Sequence, residues 1–432
     1  MIMNDIKKIL LLFYLLLLFP FLVNSQDLIT FMKSQPEIVS IKEISHNSYF
    51  NNTYEVMMRQ YLDYSDTTKG SFLQRVFVSD KSVKSPVVFI TEGYTGNYMS
   101  KKDYINELSS LLNANQIGVE HRYFGKSVPD SLNWKYLTVE NAANDHHRIL
   151  QLFKKYYKGK WISTGISKGG FTSLAFRTFF PEDVDGTVAY VGPLNYGVED
   201  GRHEIFLRHV GTRECREKIQ SFQKEILRRR NHMTTLLEKY GRDKKLNFLM
   251  NLDKVLDYSV LEYSFSFWQW GNSCKDIPPL SSADTTLFNY FVKVINPDYF
   301  SKEGNKNVAP FFYQAAYEEG YYGYDVKPFK GLLSIKSASG YLNRYMVPVD
   351  DKIKFNGKVN FKVKRYLKKK AVNVILIYGE NDPWTASSAN VRIKGNNLKI
   401  IKPGGCHKTR IANLPDEQKK EVVMLLNKYI SF

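Results

Sequence analysis

Cysteine is nearly missing from this sequence, with three among 432 residues, which excludes a small scaffold stapled by disulfides. Acidic residues are also in short supply: 43 Asp and Glu stand against 61 Lys and Arg, a surplus of +18 with His neutral. No internal repeat and no low-complexity tract occurs. No H-E-x-x-H or Cys/His spacing offers a metal site, so neither a metal nor another cofactor is expected. Long apolar runs are confined to residues 9–23. What the chain does have is apolar content of 43% and aromatics at 14%, too rich for a disordered chain. The length suggests two or three domain-sized units, or one large domain with an insertion. The basic surplus by itself fits nucleic acid, an anionic surface or acidic substrates, and composition does not choose among them.

The apolar run follows Lys7 and Lys8 and ends at Val23-Asn24-Ser25, residues of the size a signal peptidase reads. At about fifteen residues it is short for a membrane span, which needs roughly twenty. Residues 1–25 therefore read as a signal peptide, the alternative being an uncleaved anchor. The chain is expected to be exported, to a periplasmic, extracellular or lysosome-like compartment, with no stable membrane span. Export permits disulfides: Cys215 and Cys274 lie in one region and could pair, leaving Cys406 over. Asn51-Asn52-Thr53 fits a glycosylation acceptor.

Residues 54–63 and 72–80 alternate as two antiparallel strands should. The run at 87–90 is continuously apolar, as in a strand buried on both faces, and 116–119, 161–164, 187–191, 372–378 and 398–401 continue the series. Between them 104–112, 141–157 and 170–180 read as helices. Strands alternating with helices predict an α/β class with a mostly parallel central sheet. The alternation stops across 199–370. Residues 202–262 read as nearly continuous basic helix, followed by aromatic segments around Trp268 and Tyr322. The expected organisation is a core over 26–198, an inserted, mainly helical cap over 199–370 and the rest of the core over 371–432.

The chemistry is carried by Gly165-Ile166-Ser167-Lys168-Gly169, a G-x-S-x-G string between an expected strand and an expected helix. A nucleophile elbow needs that context: the strand turns sharply into the helix, small flanking residues permit the turn, and the serine hydroxyl stands exposed. The helix N-terminus favours negative charge developing nearby. A serine nucleophile needs a base, and the base an orienting carboxylate, in the chain order Ser, acid, His. Asp382, in Gly379-Glu380-Asn381-Asp382-Pro383-Trp384, and His407, in Gly404-Gly405-Cys406-His407, supply that order after the last two strands. Glu380 competes for the acid role, but Asp382 stands further into the loop. His121 precedes the serine and is out of order, while His146, His147, His203 and His209 read as structural. The backbone N–H of Lys168 and a second from Glu92-Gly93-Tyr94-Thr95-Gly96, Tyr94 rather than Gly93, are the expected oxyanion donors.

Residues 162–170 resemble the elbow of serine peptidase family S37, the secreted prolyl tri/tetrapeptidyl aminopeptidases. The resemblance extends to Glu120-His121-Arg122-Tyr123-Phe124-Gly125-Lys126-Ser127, to Gln314-Ala315-Ala316-Tyr317-Glu318-Glu319-Gly320-Tyr321-Tyr322, and to the loop carrying Asp382. The sister family S28 shares some of these themes but usually has an aromatic where Lys168 stands. The resemblance implies an α/β-hydrolase fold with a helical cap, Ser167, Asp382 and His407 as triad, and removal of short peptides from free N-termini, often after proline.

Such an exopeptidase must hold the substrate's terminal ammonium, and a buried carboxylate suits it. Glu318 is the first choice, with Glu319 and Glu92 behind it. A proline pocket calls for aromatic walls, for which Trp268, Trp270, Tyr322 and Trp384 are candidates. Peptides are thus the expected partners, with no nucleic acid and at most a weak attraction to anionic surfaces. The alternatives are an S28-like dipeptidyl peptidase or carboxypeptidase, an esterase or lipase on the same fold, or a catalytically silent relative that binds anionic partners.

Overall fold

The structure, a computed structural model, describes residues 27–349 and 353–431; the expected signal peptide lies outside them. Among the described residues, nine strands form one sheet in the order β1-β2-β3-β5-β4-β6-β7-β8-β9. β1 (Ile38–Glu43), β2 (Asn52–Tyr61) and β3 (Ser71–Asp80) pair antiparallel, and β3 meets β5 (Asn115–Val119) antiparallel. From β5 onward every pairing is parallel, through β4 (Val87–Thr91), β6 (Trp161–Ile166), β7 (Gly186–Tyr190), β8 (Val374–Gly379) and β9 (Leu398–Lys402). This topology is an α/β-hydrolase fold. Strands β4, β5, β7 and β8 are fully buried, covered on both faces, and β4 and β8 accordingly read as nearly unbroken apolar runs, whereas β5, Asn-Gln-Ile-Gly-Val, carries two buried amides. β1 escapes a reading by apolar pattern: it is a half-exposed edge strand, Ile-Val-Ser-Ile-Lys-Glu, with a register shift between Ile38 and Ser40.

The chain lays β4, steps outward to β5, then crosses back to β6 on the other side of β4. Loops leaving β4 and β6 therefore diverge at their carboxyl ends and open a crevice there. The helix Val139–Lys154 leads into β6, and Lys168–Phe179 leads out of it. Lys168–Phe179 is buried almost throughout, between the sheet and the helix Lys358–Lys369, whose Val359, Val363 and Leu367 pack with Phe171 and Leu174.

Between β7 and β8 no segment among the described residues joins the sheet. The chain instead builds helices Arg202–Leu207, Arg213–Arg228, Arg230–Lys244, Leu252–Trp270 and Asp284–Ile295 around a separate apolar cluster that includes Phe222, Tyr263, Phe267 and Phe291. The basic stretch expected as continuous helix is broken where its backbone turns: Gly211 and Lys245 have positive φ, and Thr212 and Asn251 cap the helices that follow. The Arg228–Arg230 run is not a free solvated face either. Arg229 pairs with Glu225 and Asp284, and Arg230 with Asp253 and Asp257. Cys215 and Cys274 are joined, tying the start of Arg213–Arg228 to the turn after Leu252–Trp270, while Cys406 is free.

Candidate active site

Ser167 is the residue between β6 and the helix Lys168–Phe179, at φ 57° and ψ −122°. That conformation is strained for a side chain with Cβ and recurs at functional turns. The surrounding backbone over-determines it. The Ser167 N–H donates to the Tyr190 carbonyl at 2.9 Å and its carbonyl accepts from Phe171 N–H at 3.0 Å. A Cβ on Gly165 would fall inside the Gly169 carbonyl, and one on Gly169 would lie 2.7 Å from the Thr91 oxygen. Both flanks must be glycine because strand and helix touch there backbone to backbone. The Ser167 side chain makes no capping hydrogen bond, and the residue is half-buried.

The loops after β8 and β9 are zipped together: Asn381 N–H donates to Gly405 O at 2.7 Å, and Glu380 N–H to Lys402 O at 3.0 Å. This brings Asp382, fully buried, to His407, where Oδ2 accepts from Nδ1 at 2.7 Å. With Nδ1–H given to the carboxylate, Nε2 carries the free lone pair. The His407 backbone is also held by the cap, its N–H donating to Gln269 O at 3.0 Å, and Trp270 meets the ring edge-on at 5.9 Å. Glu380, the competing acid, accepts instead from Gly404 N–H at 2.7 Å.

A narrow cavity of about 20 Å³ opens over Ser167, lined among others by Tyr94, Asn195, Phe311, Glu319 and Trp384. Here the expected substrate carboxylates separate. The segment Ala315–Glu319 is π-helical, which presents Glu318 and Glu319 to different neighbours. Glu318 faces away: its Oε1 accepts from Val139 N–H at 2.5 Å, at the start of the helix Val139–Lys154. Burial, with repulsion from Glu319 behind it, raises the Glu318 carboxyl to about 8. Glu92 is committed locally, accepting from Gly93 N–H at 2.9 Å and from Tyr98 Oη at 2.6 Å. Glu319, ranked second on sequence, is the one in the cavity.

Glu319 has a partner that sequence reasoning did not supply. Lys168, buried beneath the elbow, places Nζ 3.0 Å from Glu319 Oε1 and 3.2 Å from His121 Nε2. His121 can accept that bond because its Nδ1 donates to the Arg122 carbonyl at 2.8 Å. Burial first, then the Lys168 charge, pushes the imidazole well below its usual pKa and keeps it neutral. The segment from Glu120 to Ser127 is thus a scaffold. Glu120 accepts from the Gly96 N–H at 2.8 Å and pairs with Arg75, fixing the loop after β4, while Arg122 makes a two-pronged pair with buried Asp145.

That loop approaches the elbow closely: a Cβ on Gly93 would lie 2.6 Å from Gly169 N. The Gly93 amide is taken by Glu92, and the Tyr94 amide also helps hold the Glu92 carboxylate against the upward push of burial. Of the aromatic candidates, Trp384 lines the cavity. Tyr322 stands behind it, stacked on Phe265 at 3.7 Å between ring centres. Trp268 lines a different cap cavity of about 410 Å³, and Trp270 packs on His407 outside both. Two more buried groups complete the surroundings, Glu262, not singled out on sequence, and His203, read there as structural. Glu262 accepts from the hydroxyls of Tyr322, Tyr324 and Ser266 in the cap, and His203 bridges Asn195 and the Pro383 carbonyl. Among the described residues no cluster of His, Cys, Asp and Glu has the geometry to hold a metal ion.

A serine at a strained strand-to-helix turn, with an Asp–His pair at the ends of the last two strands, defines the class: an α/β-hydrolase of the serine type. Residues 24–429 match the family of PS-10 peptidase S37, and the chain belongs to that family of serine peptidases. It is 31% identical over 401 residues to the prolyl tri/tetrapeptidyl aminopeptidase of Streptomyces mobaraensis, covering 90% of this chain and 83% of that one. A probable serine protease of Arabidopsis thaliana is 27% identical over 56% of this chain and 52% of its own. The human lysosomal Pro-X carboxypeptidase is 29% identical over 29% of each chain. No helix among the described residues is long and apolar enough to cross a membrane.

Proposed function

We propose that this enzyme is an exported aminopeptidase that removes short peptides from free N-termini, with preference for proline before the scissile bond. Residues 1–25 act as its signal peptide and 199–370 as the cap that closes over Ser167. Ser167 Oγ attacks the carbonyl carbon while His407 Nε2 takes its proton. The C–N bond then breaks, and His407 returns that proton to the departing amine. Water, activated by the same imidazole, releases the peptide from the acyl-enzyme. Asp382 holds the ring and stabilises the imidazolium, and the oxyanion is received by the amide of Lys168 and by that of Tyr94, which it shares with the Glu92 carboxylate.

The observation that carries the aminopeptidase reading is Glu319, a buried carboxylate in the Ser167 cavity whose charge is only shared with Lys168. It is the pocket's acceptor for a substrate ammonium, with Trp384 and Phe311 as apolar walls. A carboxypeptidase reading needs a free cation for the substrate's terminal carboxylate, and the cavity's lysine is already held by both Glu319 and His121. The test is cleavage of Xaa-Xaa-Pro-amides with free and with acetylated N-termini, by wild type, Ser167→Ala and Glu319→Gln. The proposal expects no cleavage by Ser167→Ala. For free peptides, Glu319→Gln should raise KM by roughly 10- to 100-fold, as loss of one charged hydrogen bond does. Equal turnover of free and acetylated peptides by wild type would remove the aminopeptidase reading.

A further inference from the structure

The cap's arginines are largely spent on internal ion pairs, so the source of the net positive charge lies elsewhere. Residues 353–379 contain seven lysines, one arginine and no Asp or Glu. The helix Lys358–Lys369 buries Val359, Val363, Tyr366 and Leu367 against the core, which turns Arg365, Lys368 and Lys369 outward, with Lys370 following. The loop before β9 adds Arg392 and Lys394, and it is fastened to this helix end. Arg392 N–H donates to Leu367 O at 3.1 Å, its guanidinium to Lys369 O at 2.9 Å, and Asn397 Nδ2 to Ala371 O at 2.8 Å. Among the described residues none of these six cations makes an ion pair, whereas Arg208, Arg213, Arg229 and Arg230 of the cap all do.

Between Arg392 and Lys394 stands Ile393, 98% exposed, and Val372 beside the same loop is 39% exposed. An apolar side chain held in water at the tip of a cationic loop is the arrangement of an interfacial contact: the apolar tip enters the acyl boundary while the cations meet headgroups. A polyanion such as nucleic acid or a sulfated polysaccharide would neutralise the cations but give Ile393 no apolar partner. We infer that the end of the helix Lys358–Lys369 and the loop before β9 form a docking face for an anionic phospholipid bilayer. The face lies at the amino-terminal ends of β8 and β9, whereas Asp382 and His407 follow their carboxyl ends. An enzyme docked this way holds its crevice away from the lipid and open to peptides.

The test is co-sedimentation of the full chain with vesicles of phosphatidylcholine alone and of phosphatidylcholine with phosphatidylserine, with peptide-amide turnover measured on the same samples. Binding only to the anionic vesicles, weakened by added salt, is expected. The triple variant Lys368→Glu, Lys369→Glu, Lys370→Glu should weaken it on the order of a hundredfold. Ile393→Ser should weaken it roughly tenfold, and neither variant should alter turnover of a small peptide. Absence of phosphatidylserine-dependent binding, or binding that both variants retain, overturns the inference. Tight heparin binding that Ile393→Ser leaves intact, without vesicle binding, would assign the face to a polyanion instead.

Discussion

At the scale of single residues, the site is a set of charges whose partners decide their roles. The Asp382–His407 contact makes Asp382 a positioning group for the ring. Asp382→Asn should lower kcat about 10⁴-fold with little change in KM, because it favours the wrong imidazole tautomer. Steady-state kinetics on a Pro-amide substrate check this. Lys168 carries two duties, its amide at the proposed oxyanion position and its ammonium on Glu319. Lys168→Met leaves the amide in place but strips Glu319 of its counter-charge, so burial alone then acts on that carboxyl and raises its pKa further. The expected outcome is a kcat within about tenfold of wild type and a KM for free peptides whose rise steepens toward acid pH. A flat KM profile would deny Lys168 this role. The sequence named Ser167, Asp382 and His407 from local pattern and chain order. It ranked Glu318 above Glu319 because neighbours in sequence cannot be separated by pattern. The π-turn that sends one to Val139 and the other to Ser167 exists only in three dimensions.

At the scale of elements, the elbow depends on backbone contacts that no side chain can enter. Gly169→Ala places a methyl 2.7 Å from the Thr91 oxygen, between two segments of buried main chain that cannot yield cheaply. A loss of about 2–4 kcal/mol is expected, read by chemical denaturation, with activity falling as the β6–helix turn opens. The cap has its own clasp in the Cys215–Cys274 bond, which closes a loop of 59 residues in sequence separation. Cys215→Ser should cost about 4 kcal/mol of cap stability, the loop-closure entropy that the bond removes from the unfolded chain. Hydrogen exchange in Arg213–Arg228, compared with exchange in the sheet strands, measures it. Elements covered on both faces, such as β4, β7 and β8, were legible because burial on both faces writes an apolar run. β1 was not, because an edge strand needs polar residues, and the breaks in the cap helices were masked by a uniform basic composition.

At the scale of the whole molecule, several buried carboxyls share one direction of titration. Burial raises Glu92, Glu262, Glu318 and Glu319 above their ordinary values, Glu318 to about 8 from 4.5. Between pH 4.5 and 8 the folded chain therefore holds a Glu318 proton that the unfolded chain has released, so stability falls as pH rises through that window. Thermal unfolding at pH 5 and pH 8 should show the decline. Glu318→Gln, which keeps an acceptor for Val139 N–H, should remove part of it, on the order of 2–4 kcal/mol at pH 8. An unchanged slope in that variant would place the proton elsewhere. Charge was the plainest feature of the composition, yet its distribution depended on folding. Arginines of the cap find carboxylates brought from distant turns, while lysines ahead of β8 and β9 find none among the described residues. The sequence alone determined the alternation of strands and helices, the elbow and the order of its partners, because these rest on local periodicity and on residues a few positions apart. Only the tertiary structure decided which glutamate faces the serine, what Lys168 neutralises and where the outward-facing cations gather, because those depend on which segments burial forces together.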